Sequence, residues 1–196
     1  ARGVTGTTYV DRTAPRGKSL SYTVTPDGGV AGGPARVTVP AEDPPAPMPQ
    51  VRLTSLKPLF VKVGWGELKT GTSADGRPLT VGRKVVADGL GMHANGELVY
   101  ERKPEWKRFV ATVGLNESQR VQAAASVNFR VVAESAAGAR TVLVTTPVLR
   151  YDGLESAPIN VALPPDAVRI RLEVLDGGDG IRCDHANWGD PGFVTE

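Results

Sequence analysis

No window of a dozen residues in this chain keeps an amphipathic helical period without meeting a glycine or a proline, so the core has to be built from strands. The 23 glycines and 16 prolines among 196 residues separate short runs in which apolar and polar residues alternate, the two-residue period of a half-buried strand. Runs of this kind lie at 59–68, 78–82, 97–102, 108–115, 126–135, 141–149, 159–164 and 168–176. In the last of them Val168, Ile170, Leu172 and Val174 share one face while Arg169, Arg171 and Glu173 share the other. That pattern predicts an antiparallel strand with one face in the core and one in solvent. Eight strands at this spacing predict an all-β sandwich or jelly roll.

The chain divides at residues 40–49, PAEDPPAPMP, where five prolines in ten positions fix φ and remove backbone donors, the signature of a stiff, extended linker. Upstream, alternating runs at 7–13, 19–25 and 35–40 predict three short strands separated by turn formers. Their order, a Thr-Tyr segment, a Ser-Tyr-x-Val strand and a closing Val-Thr-Val, resembles the last strands of a fibronectin type III module. About forty residues bury too little surface to stand alone. The expected organisation is a partial fibronectin-like β segment over 1–40, a linker over 41–50 and a β-sandwich over 51–196.

Composition removes several functions. Lys and Arg number 23 against 21 Asp and Glu, so there is no one-signed field to hold a nucleic-acid backbone or an anionic membrane. No apolar run reaches the roughly 18 residues that span a bilayer. One thiol, Cys183, makes neither an internal disulfide nor a thiolate metal site, and it reads as a small buried residue. The chain opens on Ala1 without an initiator Met, as expected of a processed chain or a piece of a longer one.

The two histidines are the strongest lead. Both stand in the same tripeptide, His93-Ala94-Asn95 and His185-Ala186-Asn187, and each follows a glycine-rich turn. Each tripeptide is expected to begin or flank a strand at one end of the sandwich, with a hydrogen-bonded structural histidine as the competing reading. Alternation in CDHANW sets Asp184, Ala186 and Trp188 on one face and His185 and Asn187 on the other, so Asp184 and His185 cannot form a dyad. The chain has no G-x-S-x-G elbow, no H-E-x-x-H and no phosphate loop. A pair of glycosidase carboxylates has no sequence spacing of its own, but no cleft-forming insertion is evident. The Asp176–Gly180 run, DGGDG, reads as a turn rather than a calcium loop, because its spacing departs from Asp-x-Asp-x-Asp-Gly. Asn116-Glu117-Ser118 matches a glycosylation sequon on an expected exposed loop. Among the three tryptophans, Trp65 between two glycines and Trp188 beside the second tripeptide rank above Trp106 as flat platforms for a sugar ring, core packing being the rival account.

Residues from about 52 to 194 resemble the NPCBM family, grouped with the family-51 carbohydrate-binding modules. The resemblance rests on Val63-Gly64-Trp65-Gly66, Asp75-Gly76-Arg77-Pro78-Leu79, Gly89-Leu90-Gly91-Met92-His93-Ala94, Arg108-Phe109 with Val113-Gly114-Leu115, and Asp176–Ile181 leading into Asp184-His185-Ala186-Asn187-Trp188. It implies a galactose-binding-like β-sandwich without catalysis of its own, joined to a glycoside hydrolase or another secreted enzyme, in a secreted or cell-surface setting. The ligand implied is a glycan, with galactose-terminated chains among those the family recognises. A structural calcium ion away from the sugar is also an expectation of the resemblance. The expected binding residues are Trp65 or Trp188 as platform, with His93, Asn95, Asp184, His185 and Asn187 as hydrogen-bonding groups. Divergence at Glu134-Ser135-Ala136-Ala137-Gly138 and at Lys69-Thr70-Gly71-Thr72 is expected to alter loops near that site. The competing class is a structural or protein-interaction sandwich in which both tripeptides merely brace the ends.

Overall fold

The computed structural model describes residues 18–26, 28–38, 47–121 and 125–195. The strand expected at 7–13 and most of the proline-rich segment lie outside them. Two compact units divide between Pro45 and Ala46. In the first, strands β1 (Ser19–Tyr22) and β2 (Ala35–Thr38) pair antiparallel as a hairpin.

The second unit runs through β3 (Val51–Arg52), β4 (Phe60–Lys62), β5 (Lys69–Thr70), β6 (Thr80–Val81), β7 (Lys84–Val85), β8 (Gly89–His93), β9 (Gly96–Glu101) and β10 (Arg108–Leu115). It continues through β11 (Ser126–Ser135), β12 (Arg140–Thr145), β13 (Leu149–Arg150), β14 (Ser156–Ala162), β15 (Ala167–Asp176) and β16 (His185–Val194). The helical structure is confined to two single 3₁₀ turns, Leu53–Ser55 and Glu117–Gln119, among the described residues. No helix there is long and apolar enough to cross a membrane.

Two antiparallel sheets form the expected sandwich. One has the order β14-β10-β16-β8-β5 with β3 beside β16, and the other β12-β11-β15-β9-β4 with β13 beside β11. Phe109, Trp188 and Phe193 from the first sheet meet Leu98, Phe129 and Leu172 from the second in one buried layer. The runs at 108–115 and 126–135 are strands over the expected residues. The run at 59–68 is not a single strand: only Phe60–Lys62 pairs, because the chain then turns at Gly64 and Gly66 and crosses from the second sheet to the first. Val168 also departs from expectation. It is exposed, since the β11–β15 register slips between Glu134 and Ser135 and seats Ala167 in the core instead. Outside the core, Arg169 and Arg171 of β15 converge on Glu134, and their bonds hold its carboxyl down to about 2.

Strands β8 and β16 carry glycines at 89, 91, 189 and 192 and a proline at 191, which weakens their strand signal in sequence. They nevertheless lie side by side in the middle of the first sheet. The end of one and the start of the other place the histidines.

Candidate functional site

Antiparallel pairing sets His93, the last residue of β8, directly opposite His185, the first of β16. Opposed residues on neighbouring strands project from the same face, and the two imidazole centroids are 5.2 Å apart. The repeated tripeptide is thus one cross-strand pair, from which one copy leaves the sheet and the other enters it.

Trp65 reaches this pair from the β4–β5 connection. Gly64 passes so close to β8 that an added Cβ would sit 1.9 Å from the Ala94 carbonyl oxygen, a contact only glycine avoids. Its N–H donates to the His93 carbonyl at 3.1 Å, and Gly66 turns the chain away at φ +69°. The indole then lies 5.8 Å from each imidazole and is 55% exposed. With Ile181, Arg182 and Cys183 these three rings line an open depression of about 310 Å³, at the small end of the roughly 300–1,000 Å³ typical of small-molecule sites.

The ring nitrogens have defined roles. His93 Nδ1 is 2.7 Å from the Ala94 carbonyl oxygen; a carbonyl only accepts, so Nδ1 carries the proton and Nε2 is left as the acceptor. His185 is nearly buried, and its Nδ1 is 3.7 Å from Asp75 Oδ2. Burial lowers the His185 pKa below its ordinary 6.5; the Asp75 charge opposes this, while His93 and Arg77 reinforce it. The ring is therefore neutral at pH 7. Burial pushes the Asp75 carboxyl up, but bonds from the Ser118 hydroxyl, the Arg77 amide and the Gln119 amide, with the His185 charge, hold it below its ordinary value.

The other expected binding residues are structural. Trp188 is fully buried between the sheets, edge-on to Phe129 at 4.9 Å and to Phe109 at 6.1 Å, because the parity of β16 turns it inward. It is not a platform. Asn187 points outward, as alternation predicts, yet the segment carrying β6 covers it: its Nδ2 donates to the Thr80 carbonyl and to Asn116 Oδ1, both at 2.8 Å. Asn95 braces the opposite sheet, accepting from the Asp176 amide and donating to Asp176 Oδ2, each at 2.9 Å. Asp184 is fully buried and accepts from the Ser126 amide at 2.9 Å; burial, with Asp179 and Asp176 nearby, pushes its carboxyl up to about 7. Trp188, Asn187 and Asp184 are thus fully buried, while Asn95 is partly buried with both side-chain polar atoms bonded to Asp176.

Three further expectations change. Cys183 is half-buried rather than buried and lines the depression in a left-handed backbone conformation, φ 65°. Asn116 of the sequon is buried and serves as a hub, accepting from Thr80 and Asn187 and donating to Ser118, so the sequon is no exposed loop. Glu134–Gly138 spans the far end of β11 and the turn after it, while the near end at Ser126 meets Asp184, and none of these residues lines the depression. Sequence reasoning missed Asp75, Ile181 and Arg182 as contributors. Asp75 stands in a motif that marked the family, but its partners Ser118 and Gln119 are over forty positions away.

The acidic run at 176–180 does not fit a calcium ion as it stands. Asp176 Oδ1 accepts from the Gly178 amide, and its Oδ2 accepts from Asn95. Asp179 is bonded to Ser126 and paired with Arg150. Among the described residues no group of three or more His, Cys, Asp or Glu is placed to hold a metal ion.

The β-sandwich is the architecture the sequence motifs led one to expect, and the NPCBM/NEW2 domain model matches residues 49–194. The chain belongs to that family. No curated protein matches the chain in sequence. Solved NPCBM/NEW2-like structures share its fold. A Clostridium perfringens ZmpB structure holding the M60 catalytic domain with two family-51 carbohydrate-binding modules is 23% identical, with a TM-score of 0.66 over 89% of this chain and 17% of that one. The second of those modules, in complex with GlcNAc and with INT domains, is 23% identical, with a TM-score of 0.67 over 92% of this chain and 38% of that one. The family-51 module of a Clostridium perfringens family-95 glycoside hydrolase, in complex with methyl-galactose, is 25% identical, with a TM-score of 0.63 over 74% of this chain and 99% of that one. The chain thus spans less than two fifths of the first two relatives, while the third is a single module of its own kind. The NPCBM/NEW2 body is a carbohydrate-binding module in architecture.

Proposed function

We propose that this chain is a non-catalytic carbohydrate-binding module that holds one neutral hexose at the exposed end of a glycan, galactose foremost, and so keeps an attached enzyme on its substrate. The observation that carries the reading is Trp65, a half-exposed indole beside two imidazoles at the rim of a shallow depression. An indole offers a flat apolar face to the apolar side of a sugar ring. The ring nitrogens and Arg182 at the mouth supply the polar contacts that orient it. Relatives of the same architecture hold methyl-galactose or GlcNAc, and some are joined to catalytic domains. Those neighbours also support a secreted or surface-attached parent protein; that the β1–β2 hairpin belongs to a fibronectin-like spacer rests on its sequence pattern alone.

Binding should be modest, because each sugar hydroxyl exchanges a water hydrogen bond for a protein one at small net gain. The test is a glycan-array screen of the full chain, with calorimetric titration of the hits against wild type and Trp65→Ala. A saturable response to neutral terminal hexoses that disappears in Trp65→Ala supports the reading. Silence across the array from a folded protein moves it to a structural or protein-interaction module.

A further inference from the structure

The depression contains two imidazoles, and the identity of its ligand depends on which ring nitrogen of each carries the proton. For His93 the Ala94 carbonyl decides: Nδ1 donates at 2.7 Å and Nε2 is left as an acceptor. For His185 no hydrogen bond decides. Its Nδ1 is buried without a bonded partner, and Asp75 Oδ2 stands 3.7 Å away. That carboxylate is itself pinned by three donors, the Ser118 hydroxyl at 2.8 Å, the Arg77 amide at 3.2 Å and the Gln119 amide at 3.3 Å. It cannot turn away, and a lone pair on Nδ1 would face a fixed negative charge. An N–H there faces it favourably.

Resting on the sugar-binding reading above, we propose that Asp75 is a positioning residue: it holds His185 in the Nδ1–H form, so that His185 and His93 both present Nε2 as an acceptor and the depression selects a neutral ring with two hydroxyl donors. Such a pair is wrong for an anion. A carboxylate or sulfate has no proton to give, and two lone pairs would face its oxygens. The cations nearby, Arg182 at the mouth and Arg77 beside Asp75, do not supply the missing donors on the imidazole side. Asp75 touches no sugar in this account, since it acts through His185.

The account is checked first in the sugar-free protein, by long-range ¹H–¹⁵N correlation spectra of the two histidines at pH 7.5. The expected result is Nδ1–H for both rings in wild type. In Asp75→Asn, His185 gains a substantial Nε2–H population while His93 does not change, because its carbonyl partner is intact. Asp75→Ala is the companion variant should the asparagine amide reproduce the carboxylate's contact. In titrations, wild type should bind methyl-galactoside in preference to the matching galacturonoside, and the variants should lose about 2- to 10-fold of that preference, the worth of one neutral hydrogen bond. His185 found as Nε2–H in wild type, or unmoved in both variants, overturns the role of Asp75 while leaving sugar binding intact. A wild-type preference for the galacturonoside overturns the selection. Failure of the wild type to bind any neutral hexose overturns both this inference and the function beneath it.

Discussion

Trp65 and Trp188 carry the same side chain near the same end of the sandwich, yet one is more than half exposed and the other fully enclosed. Trp65 lies on a turn whose direction is set by Gly64, which must pass the Ala94 carbonyl. Trp188 lies three residues into β16, where strand parity sends it inward against Phe109 and Phe129. The rim formed by Trp65, His93 and His185 lines the depression, whereas the layer beneath, Asp184, Asn187, Asn116 and Trp188, is buried and makes its contacts within the fold. Aromatic and amide residues in one short segment therefore serve two ends, and only register tells them apart.

The largest effect expected from breaking this division is on stability. Trp188→Ala should cost about 3–5 kcal/mol by opening a cavity between the sheets, while Trp65→Ala should stay within about 0.5 kcal/mol; urea unfolding of both variants measures the contrast. Equal losses would erase the distinction between rim and layer.

Asp184 sharpens the same contrast through pH. Its folded value of about 7 lies above the ordinary 3.8, so its contribution is present below pH 4 and drains away as pH rises through 7. The drop is on the order of 2–4 kcal/mol. Asp184→Asn keeps an acceptor for the Ser126 amide and should flatten the stability profile between pH 4 and 7. A profile identical to wild type would place the titrating group elsewhere.

Effects on the rim are smaller and appear in binding. Trp65→Ala should weaken hexose affinity about tenfold or more without moving the melting temperature, and a folded variant with wild-type affinity would remove the platform. The smallest effect is the affinity's own pH dependence. Burial holds the His185 pKa below its ordinary 6.5, against the pull of the Asp75 charge, so affinity should be level between pH 8 and 7. It should fall only in more acid buffer, where Nε2 gains a proton and stops accepting. Affinity that rises on acidification would mean that the charged ring binds the ligand.

The parts of this molecule legible in its sequence are those set by local pattern. Alternation gave β10, β11 and β15 nearly to the residue, and the Gly-Trp-Gly bracket and the repeated tripeptide singled out Trp65, His93 and His185. The rest depended on pairing. Glycines hid β8 and β16, although those strands carry both histidines. Asn187 has the same parity as His185 but is covered by Thr80 and Asn116, which fold over it from distant positions. Asp75 became a neighbour of His185 only because the turn from Thr72 to Pro78 lies against β8 at Gly91. No local pattern carries that information.

The most direct test of the central claim is an NMR titration of the folded chain with methyl-galactoside, following the indole N–H signals and the histidine side chains. The account predicts saturable shifts at Trp65, His93 and His185, with Trp188 and Trp106 unmoved. Shifts confined to another surface, such as the outer face around Phe60 and Arg169, would contradict it.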